Sequence, residues 1–575
     1  MNLRLDDRHK KIIETDRHSL VLGGPGSGKT TLALLVAERR IEQGLSIGQS
    51  VLFLSFSRAA VMRIQDAMSK SLPAPKRVLL QVQTFHSFFW SVLQAHGYLL
   101  GAPRVLSIVP SHDEKAMCNG IKPGHEHWQE WENARRQLFA EKGRVCFDLF
   151  APLTQELFTR SLRIADRVST RFPLIVVDEA QDTGTEQWAC VKSLSSNSRL
   201  VCLADLDQLI FDHLPGVGPE RVAEIRSQLN PVEIDLGSEN NRSPGTEIAI
   251  FARDILKGVV RGAPYAHVKR FRFKSEAAER DKMIRQGLGF MYNKLKEING
   301  KPAESIAVIA SYSRGVSVIS AALRQNRAIP HQVLFDEAFV LLASKIGAFL
   351  LEPRSPEPAN DLCVLLELLA DAYRAKGGMS ALKNAATISA WAAKQHQAKP
   401  PRTKLVKALC ALLEDVAAEP HSGNPSADWI RIKKLLRGSV SEELKEVAEA
   451  LDYLIAYNRG QRISSRLSEV WLERQNYQGA RQSLEDALAQ EQLSGASDSI
   501  KGIHVMNIHK CKGKQFDGVV LYRQQHHSPF VWPNDPEPHV KSRRILHVAI
   551  SRARSFVLIL DEAYSNCPII GPHQL

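Results

Sequence analysis

Short apolar runs separated by longer amphipathic stretches recur through the first 250 residues of the chain. Ser19-Leu-Val-Leu22, residues 51–55, Leu174-Ile-Val-Val177 and residues 199–203 have the length and near-continuous apolar character of strands buried on both faces. The stretches between them carry apolar residues at helical spacing. Strands alternating with helices predict a parallel sheet covered by helices. A second series begins at Ser305-Ile-Ala-Val-Ile-Ala310 and resumes at Gly502-Ile-His-Val-Met506, Gly518-Val-Val-Leu-Tyr522 and Phe556-Val-Leu-Ile-Leu560. Between about 340 and 495 the pattern is helical throughout, as in Leu362–Tyr373 and Glu442–Leu454. Breakers punctuate it at Glu352-Pro-Arg-Ser-Pro-Glu-Pro, Lys399-Pro-Pro-Arg, Pro420-His-Ser-Gly-Asn-Pro and Ser494-Gly-Ala-Ser-Asp-Ser. The expected architecture is α/β: two parallel-sheet domains, the second interrupted by an all-helical insertion. Residues 104–145 read as a smaller helical insertion in the first, with Trp128, Trp131, Arg135 and Arg136, and its aromatics read as a local core rather than a base-stacking platform.

The strand ends carry the chemistry, because ligands of open parallel sheets bind beyond the carboxyl ends of the strands. After Leu22 comes Gly23-Gly24-Pro25-Gly26-Ser27-Gly28-Lys29-Thr30, and Thr31 then continues into a helix-forming run. This is a complete GxxxxGK[ST] loop in its strand-to-helix context. Its glycines let backbone N–H groups curl around phosphate oxygens, Lys29 neutralises β/γ charge, and Thr30 offers a hydroxyl to Mg²⁺. After Val177 come Asp178-Glu179-Ala180-Gln181-Asp182, three carboxylates expected to be presented at the strand end rather than buried. Asp178 is the expected metal holder, directly or through water, and Glu179 the residue that polarises an attacking water.

Composition narrows the setting. With 575 residues the chain exceeds what one core supports, so several domains are expected. The sequence holds no apolar run long enough to span a bilayer and no signal-peptide core at Met1-Asn-Leu-Arg-Leu, which places the protein in the cytoplasm with no membrane partner. Eight cysteines without a CxxC spacing read as reduced, buried small hydrophobes. A formal net charge of +13 favours a polyanionic partner.

Further strand-end motifs follow in order: Ser55-Phe56-Ser57-Arg58, Gln83-Thr84-Phe85-His86-Ser87, Asp205-Leu-Asp207-Gln208-Leu-Ile-Phe211, Asn240-Asn241-Arg242-Ser243, Ile508-His509-Lys510-Cys-Lys512-Gly513-Lys-Gln515, and His547-Val-Ala-Ile-Ser551-Arg552-Ala-Arg554. This series resembles the UvrD/Rep-like branch of superfamily 1 DNA helicases over nearly the whole chain. The resemblance implies two RecA-like domains with insertions. Domain 1A would span 1–103 and 146–235 around insertion 1B at 104–145, and domain 2A would span 236–339 and 501–575 around insertion 2B at 340–500. It implies Gln208 as γ-phosphate sensor and Arg242 and Arg552 as the charges that meet the transferred phosphoryl group, acting with Lys29 and Glu179 on ATP and Mg²⁺. It also implies single-stranded DNA contacts by Phe56, Thr84, His86, Phe211 and His509, although Phe56 and Phe211 also suit a core. A duplex-separating pin would be Tyr564, with Phe530 and Trp532 as rivals.

The activity so implied is ATP-driven 3′–5′ movement on single-stranded DNA with duplex unwinding. The alternative is a nucleic-acid-sensing ATPase that regulates a partner nuclease, for the sequence ends 23 residues after Arg552 and no fused nuclease is expected. The departures from the family concentrate around the nucleoside. His9 stands where a glutamine usually reads adenine, Asn241 where a tyrosine stacks, Thr31 where an arginine packs, and Gln515 where a glutamate holds the ribose. Base selectivity is therefore expected to be weakened or rebuilt, with GTP or dATP accepted beside ATP.

Overall fold

A computed structural model of the chain describes residues 6–211, 214, 216–237, 242–325, 327–334, 338–396, 402–455, 458–493 and 501–575. Its strands are β1 (Ser19–Leu22), β2 (Val51–Ser55), β3 (Leu80–Thr84), β4 (Ser107–Val109), β5 (Arg144–Cys146), β6 (Leu174–Val177), β7 (Arg199–Ala204), β8 (Val232–Asp235), β9 (Val268–Phe273), β10 (Ser305–Ala310), β11 (Gln332–Leu334), β12 (Gly502–Asn507), β13 (Phe516–Arg523) and β14 (Ala553–Glu562). Every apolar run named above lies in one of them. The α/β class with two parallel sheets is thus borne out.

The first sheet has the order β3-β2-β6-β7-β1-β8 and the second β11-β12-β10-β13-β14-β9, with every neighbouring pair parallel. Burial follows position. The inner strands β2 and β6 are buried at every residue, whereas the edge strand β8 alternates. Apolar side chains of β1, β2, β6 and β7 meet Leu32, Val36 and Ala37 of the helix Lys29–Glu42 in one core. That packing holds the start of the helix directly beyond β1. Both sheets belong to one compact unit made of Met1–Val92, Ala151–Phe335 and Ser497–Leu575.

A second compact unit joins Leu93–Phe150 to Asp336–Ala496. Its centre is the helix Ala338–Leu351, buried at all of its residues. Gly347 is required there, because a Cβ would lie 2.9 Å from the Trp429 ring. The one cation on this helix, Lys345, reaches Asp113 at 2.6 Å and Glu485 at 2.7 Å. Residues 104–145 are not purely helical as expected: β4 and β5 pair in parallel and close a loop that holds the helix Trp128–Lys142. Trp131 and Arg135 are buried, with Arg135 over the Trp128 ring. The proline-rich breakers at 352–358 and 420–425 separate helices, with Pro358 and Pro425 opening the next one in each case, while residues 399–401 and 494–499 lie outside the described residues. Among the described residues no helix is long and apolar enough to cross a membrane.

Candidate active site

The loop after β1 turns on glycine. Gly26 and Gly28 take φ of +84° and +97°, and at Gly23 a Cβ would stand 2.6 Å from Ser27 Oγ. Gly28 caps the helix Lys29–Glu42 without a side-chain acceptor, so the first helical N–H groups keep their capacity for an anion. Lys29 Nζ donates to the carbonyls of Gly23 (2.5 Å) and Gly24 (3.0 Å) and sits 3.4 Å from Asp205 Oδ2. Pro25, Thr30 and Thr31 are half-buried around it.

The acids beyond β6 are not laid open as expected. Asp178 and Asp182 are 3% and 4% exposed: Ser55 and Arg63 flank Asp178, and Lys512, from the chain of the second sheet, covers Asp182. Asp178 continues the ladder through its N–H to the Leu54 carbonyl, and its Oδ2 accepts from Ser55 Oγ at 3.1 Å with Arg63 3.8 Å away. Burial and the adjacent Glu179 charge push its carboxyl up. Glu179 holds φ at +53°, a strained conformation of the kind that gathers at functional sites, and accepts from Gln181 Nε2 at 2.7 Å. Burial pushes its carboxyl up, but Lys512, Lys29 and the Gln181 bond outweigh it and leave Glu179 below the usual range, ionised as a base must be. A buried carboxylate beside a second one, within reach of the charge of Lys29 in the P-loop, fits a divalent cation that Asp178 and Thr30, next to Lys29, would hold. Among the described residues no group of three His, Cys, Asp or Glu forms a metal cage. Mg²⁺ needs none, since it is held by one or two carboxylates together with substrate phosphates.

A buried relay runs from this loop to the second sheet. Asp205, next to Lys29, accepts from Gln208 Nε2 at 2.5 Å, and Gln208 Oε1 accepts from Arg552. Gln181 donates to Glu179 and accepts from the Asp205 N–H at 3.1 Å, tying the two acidic turns together. Arg242 donates to the Ser551 carbonyl at 2.7 Å. Burial, and next the Arg552 guanidinium, hold Arg242 well below the usual arginine value, and burial lowers Arg552 too. Two desolvated cations side by side make a place that an anion would stabilise.

Three residues of this network carried no role in the sequence reading. Lys512 pairs with Asp182 and donates to the Gln208 carbonyl at 2.6 Å, yet burial still pushes Asp182 up to about 7. Arg63 approaches Asp178 and donates to the Gly513 carbonyl at 3.4 Å. Asp205 joins Lys29 to Gln208. Lys512 and Asp205 stand inside the strand-end motifs, but nothing local in the sequence shows what they face.

The residues expected to touch DNA fall into two groups. Phe56 is half-buried with its ring 4.8 Å from Phe85, His86 is half-buried beside it, and Thr84 Oγ1 caps the following turn by accepting from the Ser87 N–H at 3.1 Å. Phe211 and His509 lie 6.2 Å apart on a cavity of about 620 Å³ that Trp532 and Arg544 also line. Of the pin candidates, Tyr564 is 77% exposed, Phe530 is buried and Trp532 stacks edge-on to His509. Two of the four nucleoside positions make contacts of their own. His9 is buried and caps its own helix with Asp6, at 2.6 Å between side chains, and Gln515 accepts from Arg554 at 3.3 Å. Asn240 and Asn241 lie outside the described residues.

Two parallel six-stranded sheets, one bearing a P-loop and the other bringing arginines to it, define a P-loop NTPase with paired RecA-like domains. Residues 10–213 match the model of an AAA domain family, and residues 402–561 match that of the UvrD-like helicase C-terminal domain. The chain belongs to the UvrD-like superfamily 1 helicases. It is 26% identical over 245 residues to a Bacillus subtilis protein named as an ATP-dependent DNA helicase, YjcD, covering 36% of this chain and 32% of that one. Against DNA helicase II of Escherichia coli it is 24% identical over 250 residues, covering 36% and 34%. These matches span about a third of the relatives' length. A Mycoplasma pneumoniae protein named as a DNA helicase II homolog is 21% identical over 632 aligned positions, covering 96% of this chain and 83% of that one.

Proposed function

We propose that this chain is an ATP-dependent DNA helicase that moves 3′ to 5′ on single-stranded DNA and unwinds duplexes. The observation that carries this is the buried relay Lys29–Asp205–Gln208–Arg552, which joins the P-loop to the second sheet. Such a relay makes the seating of a γ-phosphate and the spacing of the two sheets one event. The polarity comes from the family resemblance, and the relatives' names point to DNA.

In this reading the triphosphate lies along the N–H groups of the glycine loop. Lys29 leaves the Gly23 and Gly24 carbonyls and turns to the β- and γ-phosphates. Thr30 and Asp178 would hold Mg²⁺, which would offset the charge of the phosphate oxygens. Glu179 accepts a proton from the attacking water, and Gln208 hands Arg552 from its own amide to the γ-phosphate. Arg242 meets the same charge, and arginines brought from a second domain accelerate such transfers by about 10³ to 10⁵. Departure of phosphate removes that anion from Arg242 and Arg552, which favours parting of the sheets. Phe56, Phe211 and His509 grip successive bases, where stacking contributes roughly 1–3 kcal/mol per base without regard to sequence.

The test is unwinding of a short duplex carrying either a 3′ or a 5′ single-stranded tail, with ATP. Unwinding of the 3′-tailed substrate, lost in Arg552→Ala, is expected. Preference for the 5′ tail, or DNA-stimulated ATPase with no unwinding of either substrate, overturns the reading.

A further inference from the structure

We infer that β9, the open edge of the second sheet, is a docking site for an extended segment of a partner protein in which acidic and apolar residues alternate. The inference adds a protein partner to the proposed activity without resting on it. In the parallel pair of β9 with β14, the Val557 N–H donates to the His267 carbonyl and the Ala563 N–H to the Phe273 carbonyl. Lys269 stands opposite Leu558 and Phe271 opposite Leu560, so those two bonds fix the ladder between them. Lys269 and Phe271 spend their N–H and C=O groups on β14. Arg270 and Arg272 therefore turn both of theirs outward, where neither backbone has a partner among the described residues. No second strand flanks β9 in its sheet. A row of free donors and acceptors of this kind is a template for one more strand.

The side chains along the edge say what that strand carries. Arg270 and Arg272 share one face of the sheet, since side chains two residues apart point the same way. Arg270 donates to the Ile570 and His573 carbonyls and has Asp561 at 3.9 Å, whereas Arg272 is exposed and forms no ion pair among the described residues. Phe271 lies on the other face, half-buried against Phe290 with ring centroids 4.8 Å apart, and Lys269 Nζ sits over both rings. Side chains that meet across neighbouring strands attract when opposite in charge and repel when alike. An incoming strand thus meets guanidinium groups at every second position and an aromatic surface at the positions between. A second copy of β9 would set arginine and lysine against arginine and lysine, which excludes it as the favoured occupant. Single-stranded nucleic acid supplies negative charge, but it has no row of N–H and C=O groups to pair with the edge.

The experiment titrates the full chain with a fluorescein-labelled peptide of alternating Glu and Val, as long as the 6-residue strand, and follows anisotropy. Saturable binding is expected. The same peptide with its backbone nitrogens methylated keeps its charges but loses its donors, and should bind about tenfold more weakly or worse. Replacing its Glu by Lys should abolish binding. Arg272→Pro removes an outward N–H and no ladder bond, an orientation in which edge strands tolerate proline. It should weaken the Glu peptide about tenfold while leaving DNA-stimulated ATPase unchanged, and Arg272→Lys should stay within about threefold of the unaltered chain. No binding of the Glu peptide, equal binding of its methylated form, or an unaltered affinity in a folded Arg272→Pro overturns the inference. So does complete displacement of the peptide by oligothymidylate, which would put it on a nucleic-acid surface. The methylated peptide is compared on the unaltered chain, so the result stands even where Arg272→Pro fails to fold.

Discussion

The pair Lys512 and Asp182 shows what the sequence leaves unsaid about single residues. The two are 330 positions apart, both are buried, and they bond directly. Removing one member of a buried pair leaves the other charge desolvated, at a cost of about 3–5 kcal/mol. Lys512→Met is expected to lose stability of that order in denaturant unfolding, and Lys512→Met with Asp182→Asn to recover a large part of it. A single-variant loss below about 1 kcal/mol would show the pair to be dispensable. Lys29, Thr30, Asp178 and Glu179 were legible because their chemistry depends on neighbours within a few positions of the chain. Lys512 and Arg63 were not, since what defines each is a partner supplied by distant chain. The expectation that the Asp178–Asp182 acids would lie open failed for the same reason, because Asp182 is covered by Lys512 and Asp178 by Ser55 and Arg63, all distant from them in sequence.

At the scale of elements, the inner strands were legible because burial on both faces leaves only apolar residues. The edges were not. β9 reads Val-Lys-Arg-Phe-Arg-Phe, and β4 and β5 have three residues each, too few for any periodicity. The helix Ser111–Cys118 in the second unit carries a titrating element of its own. Burial, and then the nearby Asp148, push Glu114 up to about 7 in spite of Arg135 at 3.3 Å. Its ordinary value is 4.5, so the folded chain holds a proton that the unfolded chain has already released. Stability from this group is therefore full below pH 4.5 and is lost as pH rises through about 7. Thermal unfolding should show a midpoint that falls between pH 5 and pH 8, and Glu114→Gln should flatten that fall. An identical pH profile for the two proteins removes Glu114 as the cause.

For the whole molecule, the net charge of +13 was plain from composition, and with it the expectation of a polyanion. Neutralising phosphates releases counterions, so affinity for single-stranded DNA should drop at least about a hundredfold between 50 and 200 mM salt if six or more phosphates are met. A flat dependence measured by fluorescence anisotropy would leave the positive surface without that role. The grouping of residues 93–150 with 336–496 was not foreseeable, because it depends on packing between segments far apart in sequence. The order of the second sheet has a similar long reach. β10 is an inner strand whose two neighbours are β12 and β13, and neither has been synthesised when β10 leaves the ribosome. Almost 200 residues separate β10 from β12, so at about 5–20 residues per second an uncovered Ser-Ile-Ala-Val-Ile-Ala edge waits on the order of ten to forty seconds. Birth, rather than catalysis, is when this protein most needs shelter: a nascent chain halted inside the helical insertion carries half of a sheet that has nothing to close it.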